Sequence, residues 1–135
     1  MRPLRSFLAL LLLAVSFGAS AQKADFDKLE QQLRLKPHQK EQFAQARSAT
    51  QMALMASAMS LTLLQRELGE ELSKARPDFM GLLTSQQAAY ELNAPLFRNA
   101  AEEWSKLYAL LEDDQVAIAK RYVEERLRSF PGLMP

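Results

Sequence analysis

From Pro37 to about Lys74 the chain runs without an internal proline and with one glycine, Gly69, while its apolar residues recur at intervals of three and four. That pattern predicts one long amphipathic helix. At 100° per residue, Phe43, Thr50, Leu54, Leu61, Leu64, Leu68 and Leu72 fall on a common face. Such a helix is roughly 55 Å long. A chain of 135 residues cannot fold it into a compact bundle, so an elongated, hairpin-like protomer is expected.

The rest of the chain extends the same all-α reading. A first short helix is expected to start with Asp25 as its N-cap, to place Phe26, Leu29 and Leu33 on one side, and to end before Pro37. Arg76, Pro77 and Asp78 break the long helix. A second long helix is predicted from Asp78 to about Leu111, with Leu83, Tyr90, Phe97, Trp104 and Leu111 spaced seven apart. Pro95 lies inside it. The register crosses Pro95 without a slip, which favours one continuous helix over a new helix capped by Asn93. A last helix spans roughly Asp113 to Phe130, with Val116, Ala119, Val123, Leu127 and Phe130 as its stripe, and residues 131–135 form a tail. Two long and two short helices leave much of the long pair uncovered in a monomer, so a homodimer is expected.

The first residues carry a different signal. Arg2 and Arg5 precede an apolar run from Leu8 to Val15, and Ala19, Ser20 and Ala21 supply small residues for a signal peptidase. Residues 1–21 therefore read as a cleaved signal peptide, and residues 22–130 as the working domain of an exported protein. A membrane anchor is the weaker reading, because the apolar run falls short of the roughly 20 residues a spanning helix needs. Removing Arg2 and Arg5 from the 17 basic residues leaves 15 against 16 acidic ones, a net charge of −1. That balance argues against a nucleic-acid partner, which calls for a basic face. The chain has no cysteine, so disulfides, zinc thiolates and a thiol nucleophile are all ruled out.

Two corners share a pattern. Leu35, Lys36, Pro37, His38 and Gln39 open the second helix, and Leu111, Glu112, Asp113, Asp114 and Gln115 open the fourth. A glutamine at the third helical position can reach back to the N-cap amide, and Pro37 suits the first position. On Leu35, Pro37 and Gln39, with Leu111 and Gln115 in the second copy, the chain resembles the LTxxQ-motif Spy/CpxP family of periplasmic helical proteins. Lys36 and Glu112 stand where that motif has threonine. The resemblance implies a periplasmic protein of the envelope stress response and an antiparallel, cradle-shaped homodimer. It further implies either an ATP-independent chaperone for partly unfolded envelope proteins, or an adaptor binding the sensor domain of a membrane kinase. Metal-responsive relatives add a third possibility.

No catalytic constellation is visible, and no enzyme is expected. The single histidine, His38, cannot close a metal site alone, so no metal and no cofactor are assigned. Met52, Met55, Met59 and Leu63 form a second apolar stripe on the long helix, nearly opposite the first. Three readings of it stand open: a dimer interface, a client-binding surface of adaptable methionines, and a Cu(I) thioether cluster. In the client reading, Arg47 and Arg66 assist capture by charge.

Overall fold

The computed structural model describes residues 19–128, with side chains described from residue 25. The expected signal-peptide core, Phe130 and the 131–135 tail lie outside the described residues. Among the described residues there are four helices and no strand. They are α1 (Ala19–Leu33), α2 (Pro37–Leu72), α3 (Phe79–Leu110) and α4 (Asp113–Arg128).

The chain divides into two compact units. Of the described residues, those up to Ser48 and those from Ala101 onward form the first; Ala49–Ala100 forms the second. The core of the first unit contains Phe26, Leu29 and Leu33 of α1, Leu35 of the corner, and Phe43 and Ala46 of α2. Trp104 and Leu107 of α3 and Ala119, Tyr122 and Val123 of α4 complete it. Trp104 is the centre. Its ring stacks on Phe26 at 5.8 Å and meets Phe43 edge-on at 5.5 Å. Both geometries are the ones that an aromatic quadrupole favours.

Asp25 is not a cap. Helix α1 already runs from Ala19, and Asp25 sits in its interior, where its carboxylate pairs with Arg126 at 2.6 Å and its carbonyl accepts from the Tyr122 hydroxyl at 3.1 Å. These contacts tie α1 to α4. The buried stripe of α4 likewise includes Tyr122, whose polar tip hid it from a reading based on apolar spacing. Burial, with the nearby Asp25 carboxylate adding to it, raises the Tyr122 phenol to about 12. The acids Asp113 and Asp114 in the first turn of α4, and Arg126 and Arg128 in its last, complement the helix dipole.

In the second unit, α3 passes through Pro95 unbroken. Asn93 lies within the helix, where its side-chain amide donates to the Ser60 hydroxyl of α2 at 2.9 Å. That contact excludes the alternative in which Asn93 caps a new helix. The expected heptad holds at Trp104, but Leu83 and Tyr90 point to solvent at 59% and 71% exposure. A strict seven-residue stripe slides round a straight helix by about 20° per heptad. Over the turns from Trp104 back to Leu83 the drift hands the covered face to Leu82, Ala89, Asn93, Leu96 and Ala100. Helix α2 shows the same shift: Ala53, Ser57, Ser60 and Leu64 are covered, whereas Leu61, Leu68 and Leu72 are exposed. The turn between the two helices is closed by Asp78, which caps α3 through a bond from the Gly81 amide at 2.9 Å. A Cβ on Gly81 would lie 2.4 Å from the Asp78 carboxylate, so glycine leaves the cap its room.

Candidate functional site

The two corners come together in the first unit. Gln39 and Gln115 are both buried, and their side-chain amides pair reciprocally at 2.8 and 2.9 Å. Each Oε1 also accepts from the N-cap amide of its own helix, Lys36 for Gln39 and Glu112 for Gln115, both at 2.9 Å. Each Nε2 donates its second hydrogen to the end of the helix that precedes the other copy. Gln39 reaches the Leu110 carbonyl at 2.7 Å, and Gln115 the Leu33 carbonyl at 3.1 Å. Every donor and acceptor of both amides is thereby used. Two helix starts and two helix ends are satisfied by one buried pair, which addresses the groups that helix termini leave open.

Lys36 and Glu112, the second residue of each corner, are ion-paired with each other. The Glu112 carboxylate holds the Lys36 ammonium above the ordinary lysine range. The two corners are thus joined by an ion pair as well as by their amides. Just before the first copy, Arg34 takes the left-handed conformation at φ 50°, the turn that ends α1. A groove of about 620 Å³ beside these corners is lined by charges of both signs, among them Arg34, Lys36, Glu112, Arg121 and Glu125. It belongs to the first unit, whereas the apolar stripe belongs to the second.

Met52, Met55, Met59 and Leu63 all lie in the second unit and are all exposed. Of thirteen large hydrophobic residues exposed among the described residues, only Leu110 falls outside Ala49–Ala100. The other exposed ones include Leu61, Leu68 and Leu72 on α2, and Phe79, Met80, Leu83, Tyr90 and Leu92 on α3. Single exposed apolar residues are ordinary; this concentration in one unit is not. A groove of about 340 Å³ runs between its helices, floored by Ser57, Ser60 and Ala89 and walled by Leu61, Leu64 and Tyr90. The sequence reading placed Leu83 and Tyr90 on the heptad stripe and expected much of the long pair to be uncovered in a monomer, but it named no residue of α3 in the candidate surface. Seven-residue spacing fits Leu82, Ala89 and Leu96 equally well, so the interval alone does not say which set is covered.

Arg47 and Arg66 part company. Arg66 is exposed on the second unit. Arg47 belongs to the first, where it pairs with Asp27 at 2.6 Å and lies 5.6 Å over the Phe26 ring. It ties α1 to α2 within the first unit, where its guanidinium is engaged by Asp27 and Phe26. Among the described residues no group of three or more His, Asp and Glu side chains converges, and no helix is long and apolar enough to cross a membrane. No family model, curated protein or solved structure matches the chain.

Proposed function

We propose that this protein is an exported, ATP-independent holding chaperone of the Spy/CpxP type, which captures partly unfolded envelope proteins on the apolar surface of residues 49–100. The observation that carries the reading is the inverted distribution of side chains in that unit. Small and polar residues such as Ala53, Ser57, Ser60 and Asn93 are covered, while the four methionines, Leu61, Leu63, Leu68, Leu72, Leu83, Leu92 and Tyr90 face outward. Unbranched thioether side chains re-pack against varied partners at little cost, the property a promiscuous holding surface needs. Arg66 adds a positive charge beside the stripe for the first encounter. The resemblance carried by Leu35, Pro37, Gln39, Leu111 and Gln115 supports the same family of functions, and a homodimer belongs to the proposal.

The test is aggregation of several chemically unfolded proteins with the chain at near-equimolar ratio and no nucleotide. Suppression across unrelated substrates is expected, and it weakens when Met52, Met55 and Met59 are replaced together by serine. If that variant protects normally but no longer dimerises, the stripe is the interface between copies. If the unaltered chain protects nothing, the holding reading fails, and a dedicated signalling partner takes its place.

A further inference from the structure

Methionine is among the residues most often buried in folded proteins. Here the distribution is reversed. All four methionines among the described residues are exposed, Met52 at 58%, Met55 at 66%, Met59 at 67% and Met80 at 72%, and all lie within Ala49–Ala100. The core of the other unit is built from Phe, Leu, Trp, Ala, Tyr and Val, with no methionine in it. The chain has no cysteine, so thioethers are its only sulfur. An oxidant that reaches this protein therefore meets methionine on the proposed holding surface and nowhere in the buried core of the described residues.

We infer that Met52, Met55, Met59 and Met80 form a reversible oxidation site, at which oxidants of the hypochlorous acid class switch the apolar surface off. In each step an S–O bond forms and the O–Cl bond of the oxidant breaks. Sulfur is oxidised by two electrons, chlorine leaves as chloride, and the hydroxyl proton passes to water. The product replaces a flexible apolar side chain with a polar, chiral one. Because these side chains stand in solvent, the change opens no cavity and leaves the helices in place; what is lost is apolar surface. Reduction of both sulfoxide epimers restores the thioethers, and it takes the two classes of methionine sulfoxide reductase to do so. The functional consequence rests on the holding reading above, whereas the chemistry rests on exposure alone.

The experiment treats the full chain with increasing equivalents of hypochlorous acid. Peptide mass mapping, apolar-dye fluorescence and far-UV circular dichroism are read at each dose. The four methionines should each gain one oxygen before buried Trp104 is modified. Dye binding should fall by about a third, since four of the twelve large exposed apolar side chains of the unit are methionines. Helicity should persist, and the two reductases together should restore the dye signal. The M52L/M55L/M59L variant should lose most of this oxidant response, whatever its starting level. Modification of Trp104 at the same dose as the methionines overturns the inference, and so does unchanged dye binding once four sulfoxides are present. An unoxidised chain that protects no substrate overturns the holding reading instead, and the mass map still decides the oxidation site.

Discussion

Replacing Gln39 with methionine keeps the length and bulk of a buried side chain and removes only its amide. Four hydrogen bonds go with it: those from the Lys36 amide, to the Leu110 carbonyl, and the reciprocal pair with Gln115. The cap and the helix-end bond are each worth about 1 kcal/mol net, since water can reach the groups they leave behind. The Gln115 amide is different. Buried, it would keep one N–H and one lone pair without a partner, at about 1–3 kcal/mol. The total is about 3–5 kcal/mol, a large part of the roughly 5–15 kcal/mol that holds a domain folded.

The double variant Gln39→Met with Gln115→Met sharpens the argument. It abolishes the orphaned amide that makes each single change costly, so the double cost should fall short of the summed singles by about 2 kcal/mol or more. Urea unfolding followed by circular dichroism at 222 nm reads all three variants, with the m-value checked for constancy. A single-variant cost below about 1 kcal/mol would refute the clamp. Strict additivity of the two changes would refute the reciprocal pairing.

Arg34→Gly should stabilise the chain by about 1 kcal/mol, because glycine adopts the left-handed turn after α1 without the strain arginine carries there; unchanged thermal stability would argue against that strain. Trp104→Ala should cost about 3–5 kcal/mol through the cavity left between Phe26 and Phe43, read by denaturant unfolding. Tyr122 keeps its proton to about pH 12 when folded but only to about 10 when unfolded. Stability should therefore fall as pH rises between those values, where the unfolded chain binds fewer protons. Tyr122→Phe should flatten that alkaline loss, and an equally steep profile in the variant would exclude Tyr122 as its source.

The helices were legible because their signals are local. Pro37, the Arg76–Asp78 break and the run of three-and-four spacings set the ends of α2 and α3 within a residue or two. The third-position glutamines could be placed for the same reason, since a capping box spans four residues. Their partnership could not. Gln39 and Gln115 are 76 positions apart, and nothing in either corner specifies that one amide should saturate the other. The Lys36 and Glu112 pair follows the same rule: each residue, met alone, is an ordinary charge at a helix start, and only the fold brings the two together.

Spacing alone left the covered face of α3 open, because Leu83 and Tyr90 and their neighbours Leu82 and Ala89 keep the same seven-residue interval. In the first unit the large side chains are inside, where Phe43, Trp104 and Leu107 fill the core. In the second, the fully buried positions hold Ala49, Thr50, Ala53, Asn93 and Ala100, Leu64, Leu82 and Leu96 are half-buried, and twelve large apolar side chains face out. A unit meant only to be stable would place them the other way round, because burying a leucine or methionine contributes about 1.5–3 kcal/mol that an exposed one forgoes. Met52, Met55, Met59 and Leu63 therefore forgo folding energy where they stand, while the first unit keeps an aromatic core and a fully satisfied amide pair. Serine at Met52, Met55 and Met59 should then leave the unfolding midpoint nearly unchanged. A loss of more than about 2 kcal/mol in that variant would mean that the stripe is buried in solution, and the search for what covers it would begin with a second copy of the chain.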